Sequence, residues 1–127
     1  MKPLLARLIA ATALLLLTAC NFTLPPISSA LVEHHSSGSP ISKVELNQSQ
    51  ANALMGWFSQ HSSGWSSSVV SYVPALAVRI KHSNGEVSVV NILGNSVIVY
   101  NNSGQFTQQF AESDLSALRG ILGGDDG

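Results

Sequence analysis

The 127-residue chain contains a single cysteine, Cys20, and so has no means of closing a disulfide within itself. Charge is scarce as well: six Lys and Arg against seven Asp and Glu, 10% of all residues. Without a basic cluster, the electrostatic footprint that nucleic acid requires is missing. The glycine-flanked serine of a nucleophile elbow is absent, since Gly64-Trp65-Ser66-Ser67-Ser68 lacks the second glycine, and no glycine-rich phosphate loop occurs. The longest apolar run, Leu8 to Leu17, is interrupted only by Thr12 and falls well short of the roughly 20 residues of a spanning helix.

Other catalytic constellations fare no better. A serine triad needs a histidine oriented by a carboxylate. The histidines are His34, His35, His61 and His82, whereas Asp114, Asp125 and Asp126 crowd the C-terminal end, and no spacing obliges them to meet. Glu45, Glu86 and Glu112 fall near the ends of predicted elements, where solvated glutamates are ordinary, so the facing carboxylates of a glycosidase are not indicated. His34-His35 has no third histidine or thiolate beside it and reads as two solvated imidazoles rather than a metal site. The expectation is a non-enzymatic protein that needs neither metal nor cofactor.

The chain begins with Lys2 and Arg7 around an apolar stretch that ends in Leu17-Thr18-Ala19-Cys20. A positive start, an apolar core of about 7–15 residues and small residues before a cut describe a secretory signal peptide. The last four residues resemble the lipobox of bacterial lipoproteins. That resemblance implies cleavage after Ala19, a diacylglyceryl group on the Cys20 sulfur and a further acyl chain on its amino group. Several chains on one residue anchor a protein stably, where a single one does not. Asn21 follows the cysteine in place of the aspartate that retains enterobacterial lipoproteins in the inner membrane. The resemblance therefore implies the periplasmic face of the outer membrane, with inner-membrane retention as the alternative. Beyond residue 19, Lys43, Arg79, Lys81 and Arg119 stand against the seven acidic residues.

Residues 1–19 thus read as signal peptide and 20–42, rich in Pro, Ser and Gly, as a flexible tether with a root-mean-square span of roughly 25 Å. Residues 43–123 remain for one small domain, and 124–127 for a frayed tail. Asn47 and Gln50 stand as N-cap and capping-box partner of a helix over about 48–60, whose Ala51, Leu54, Met55 and Phe58 form an apolar stripe. From Val69 the period becomes two. Val69–Val73 is strand-like until Pro74 interrupts it, and Leu76, Val78 and Ile80 alternate with polar neighbours. Asn84-Gly85 predicts a two-residue hairpin that sets Ile80 opposite Val89 and Val78 opposite Asn91. Gly94-Asn95 and Asn101-Asn102-Ser103-Gly104 turn the chain twice more, giving a meander. Ser113 is the expected cap of a last helix bearing Leu115, Leu118, Ile121 and Leu122.

The predicted fold is α+β: a two-layer sandwich in which an N-terminal and a C-terminal helix cover one face of a three- or four-stranded antiparallel sheet. Its core holds Leu54, Met55, Phe58, Leu76, Val78, Ile80, Val89, Leu93, Ile98, Leu115 and Leu118. With chemistry set aside, surface recognition remains. Trp57 and Trp65 bracket a Ser/Gly-rich loop and Tyr72 follows, a composition that suits a binding surface, unless Trp57 completes the helix–sheet core and Trp65 pins the loop onto it. In this register Val90, Ile92, Val97 and Val99 form an apolar patch on the helix-free face, unless the tether or Val69–Val73 folds over it. The expected partner is a periplasmic protein, either an envelope assembly or secretion component or a target that the chain inhibits. The alternative is a small ligand or cell-wall glycan stacked on Trp65 and Tyr72.

Overall fold

A computed structural model describes residues 21–37 and 39–123. The lipobox and the 124–127 tail lie outside them. The elements run β1 (Ile27–Ser36), β2 (Ser39–Glu45), α1 (Gln48–Gln60), β3 (Ser66–Ser67), β4 (Leu76–His82), β5 (Val87–Leu93), β6 (Ser96–Asn101), β7 (Gly104–Gln109) and α2 (Glu112–Ile121). Seven strands form one sheet in the order β2-β1-β4-β5-β6-β7-β3, antiparallel throughout. The fold is α+β, with seven strands where three or four are expected from the sequence.

Helix α1 forms where its local signals place it. The Asn47 side chain accepts from the Gln50 N–H at 2.8 Å, and the Gln50 side chain accepts in turn from the Asn47 N–H at 3.0 Å. Its Leu54 and Phe58 share a core cluster with Leu115 and Leu118 of α2 and with Val78, Ile80, Val90, Ile92, Val97 and Val99 of the sheet. The Trp57 indole donates to the Asp114 carbonyl at 3.0 Å, tying the C-terminal half of α1 to the first turn of α2. Helix α2 starts earlier than expected. Ala111, not Ser113, occupies the cap position and contributes no side-chain bond, while Glu112 and Asp114 supply favourable charge to the first turn.

The largest correction concerns residues 20–42. Far from being a tether, this stretch supplies β1, which lies inside the sheet between β2 and β4, and the first residues of β2. Phe22, Leu24, Ile27, Ala30 and Val32 are buried in the core. The domain therefore begins near Phe22 rather than residue 43. The reading fails because β1 lacks a clean alternation: its outward-facing Glu33 and His35 are polar, and the burial of Glu33 is made tolerable by Arg79, 46 residues away. Conversely, Val69–Val73 is not a strand.

The second correction is one of register. The β4–β5 loop has three residues, not two. His82 N–H donates to the Glu86 carbonyl at 2.9 Å, and Gly85 N–H donates to the His82 carbonyl at 3.0 Å. Only Gly85 takes a positive φ, +90°, and the Asn84 side chain accepts from the Glu86 N–H. This is the three-residue hairpin of a type I turn closed by a left-handed glycine. Ile80 consequently faces Ser88, and Val78 faces Val90. A shift of one residue exchanges the two faces of a strand. Val90, Ile92, Val97 and Val99, expected as a surface patch, are 0–3% exposed in the core. Val89, Leu93 and Ile98, expected inside, point to the other face.

Candidate binding surface

The strand pairings put Glu33, Ala77, Asn91, Ile98 and Thr107 in one row across the outward face of the sheet, and Leu31, Arg79, Val89 and Tyr100 in the next. Residues 68–75 cross this face as a strap. At one end Ser68 N–H donates to the Gln105 carbonyl at 2.8 Å, and the Gln105 amide donates to the Val70 carbonyl at 3.0 Å. In the middle the Asn91 amide donates to the Tyr72 hydroxyl at 2.8 Å. At the other end His35 N–H donates to the Ala75 carbonyl at 2.7 Å. The strap buries Ala77, Asn91 and Ile98 from above, and in doing so turns its own valines outward. Val69 is 99% exposed, Val70 66% and Val73 67%. Tyr100 and Val87 are exposed on the same side.

Beside the strap lies an ionic cluster. The Arg79 Nε donates to Glu33 Oε1 at 2.9 Å, and His35 Nε2 meets Glu33 Oε2 at 3.2 Å, which makes that nitrogen the protonated one. Glu33 is only 3% exposed. Burial works against its carboxylate, but the Arg79 guanidinium, the two side-chain hydrogen bonds and the Lys43 ammonium outweigh it and hold the pKa below the ordinary value. Next to the cluster, over the β1–β4 pair, a shallow cleft of about 420 Å³ is lined by Ser29, Leu31, Glu45, Arg79, Lys81 and Val87. It offers two cations, of which Arg79 is already paired with Glu33, one carboxylate from Glu45, and an apolar wall. At Tyr72, burial pushes the phenol pKa up, against the hydrogen bond from Asn91.

The expected site residues are scattered by this arrangement. Trp57 and Trp65 are core residues, each 4% exposed, whose indoles donate to the carbonyls of Asp114 and His61 at 3.0 and 2.6 Å. They pack with Phe22, Phe58 and Phe110 in one aromatic cluster and present no surface. Tyr72 is half-buried, its hydroxyl spent on Asn91. Cys20 lies outside the described residues. His35 is not the solvated imidazole expected of a tether.

A serine–histidine contact does exist. Ser88 Oγ lies 2.7 Å from His82 Nε2, and His82 Nδ1 is 2.9 Å from the Pro25 carbonyl. Both residues are buried on the core-facing side, and a backbone carbonyl stands where a triad has its carboxylate, so the pair latches the 25–26 segment and exposes no nucleophile. The one-residue register shift hides this pair in the sequence, because it moves Ser88 to the other face. Arg79 and Lys81, two apart on β4, were legible as neighbours on one face; Glu33 carried no signal of its role. Among the described residues no cluster of three metal-ligating side chains occurs, and no helix is long and apolar enough to cross a membrane. Comparison with known protein families, with curated proteins and with solved structures finds no match for this chain.

Proposed function

We propose that this chain is a non-enzymatic lipoprotein, anchored through Cys20 at the periplasmic face of the outer membrane, whose domain captures another protein. In this reading the two helices and the sheet form two layers, and the helix-free face is the one that binds. The observation that carries it is the strap: three nearly adjacent valines, Val69, Val70 and Val73, stand exposed beside Tyr100 and Val87. Exposed apolar side chains gathered on one side, rimmed by polar groups, commonly mark partner sites. Residues 68–75 carry no charge, which favours a component of an envelope assembly over an inhibitor that fills a cationic active site with carboxylates. The cleft over Arg79 and Lys81 supports a second reading, a small ligand, since its volume lies within the usual range of ligand pockets.

The test compares the wild-type chain with Val69→Ser/Val70→Ser/Val73→Ser in affinity capture from envelope extract. A stoichiometric protein held by the wild type and lost by the triple variant is expected, with a melting temperature within about 2 °C because these side chains bury little on folding. Equal capture by both proteins would remove the strap from the interface. Cys20→Ala is expected to move the protein out of the membrane fraction.

A further inference from the structure

Strand β2 pairs only with β1 and forms one edge of the sheet; all seven of its residues are exposed. Ile41 and Val44 are 69% and 57% exposed. An edge of this kind presents unpaired N–H and C=O groups to any second strand. Which groups face outward follows from the ladder. Leu46 N–H donates to the Ala30 carbonyl at 2.9 Å, and Glu45 and Val44 sit opposite Leu31 and Val32. Antiparallel pairs alternate between hydrogen-bonded and non-hydrogen-bonded. Ser42, Val44 and Leu46 therefore bond inward to β1, while Lys43 and Glu45 direct their backbone groups to the free edge.

We propose that β2 of one copy pairs antiparallel with β2 of a second copy about a two-fold axis at Val44, joining two sheets into one. The two-fold axis of such a pair falls at a residue of the strand. An axis at Lys43 sets two ammonium groups face to face, and one at Glu45 sets two carboxylates face to face. An axis at Ser42 draws Pro40 into the ladder and pairs Lys43 with Ile41. The axis at Val44 sets Lys43 against Glu45 of the second copy, and Glu45 against its Lys43. These four residues are the ones whose backbones face outward, so the pairing closes four main-chain hydrogen bonds and two opposite-charge pairs together. Directly opposed opposite charges favour a register and like charges oppose it. Among the described residues neither Lys43 nor Glu45 has a salt-bridge partner within its own chain. Pro40 falls outside the ladder. The two Val44 side chains meet across the axis on the helix-bearing side, as a non-hydrogen-bonded pair with Cα atoms about 4.5 Å apart.

The pairing is independent of whatever the strap captures. A ladder of about five residues per copy belongs with the small, weak interfaces, so a covalent trap is the suitable probe. Non-hydrogen-bonded Cα separation is within the range of a disulfide. In the full chain, Val44→Cys is expected to give a disulfide-linked dimer on mild oxidation. The wild type, with Cys20 alone, and Ile41→Cys are expected to give at least tenfold less. Adding Lys43→Glu to Val44→Cys should lower the yield at least tenfold, and adding Lys43→Glu/Glu45→Lys should restore it. In the wild type, hydrogen exchange at the Lys43 and Glu45 amides should slow as protein concentration rises. No cross-link from Val44→Cys, an equal one from Ile41→Cys, or exchange at those amides that ignores concentration would each overturn the proposal.

Discussion

On the core-facing side of the sheet, Val78, Ile80, Val90, Ile92, Val97 and Val99 share one buried cluster with Leu54, Phe58, Leu115 and Leu118, and carry no polar group to satisfy. On the outward side of the same strands, Glu33 and Asn91 are buried just as deeply, yet each is held by named partners: Arg79 and His35 for the one, Tyr72 for the other. The first kind of burial is non-directional and tolerates sliding; the second is directional and expensive to leave incomplete. The buried cluster shared with α1 and α2 lies on one side, and an eight-residue strap lies over the other. Because the strap is too narrow to bury its own valines, the outward face is where apolar surface remains exposed.

Substitutions that exchange the two faces have the largest expected effect. Val90→Asp places a charge in the core and is expected to cost more than about 4 kcal/mol, a large share of the roughly 5–15 kcal/mol that holds a domain together. Val89→Asp, one residue earlier and facing outward, is expected to cost about 1 kcal/mol. Denaturant titration of both variants measures the difference, and a reversed order would restore the two-residue hairpin register. Glu33→Gln is expected to cost about 1 kcal/mol at pH 7, less than a fully buried pair, because the Arg79 side chain is half in water. The sign with pH follows from the depressed carboxyl. Its contribution is present above the unfolded-state pKa near 4.5 and is lost as pH falls through the lower folded-state value. The stability gap between wild type and Glu33→Gln should therefore close in acid, as seen by thermal melts from pH 7 to pH 2. Tyr72→Phe leaves the Asn91 amide short of an acceptor and is expected to cost a similar amount, about 1 kcal/mol. The raised phenol pKa adds that wild-type stability is complete below pH 10 and is lost as pH rises through the folded-state value, a loss that Tyr72→Phe lacks.

Legibility in the sequence followed the reach of the interactions. The capping box of Asn47 and Gln50, the Leu54/Phe58 stripe, the turns at Gly94-Asn95 and Asn101–Gly104, and the place though not the length of the turn at Asn84-Gly85 were readable, because each signal lies within a few residues. For Trp57 and Trp65 the sequence left surface and core both open, since only the fold reveals that their indoles donate to the carbonyls of Asp114 and His61. The candidate surface was half visible: Arg79 and Lys81 shared a face by their spacing, and the closing of the helix-free side by Val69–Val73 was one of the arrangements that the sequence left open.

By itself the sequence determined the class of the fold, the position of α1 and the order of the later strands, since these rest on local propensity and period. Only the tertiary structure decided that 22–36 enters the sheet, which valines join the core cluster and that a strap closes the other side. Those outcomes depend on pairings between residues far apart in the chain. A single residue in one turn shifts a whole strand from one face to the other, because side chains alternate along a strand with a period of two.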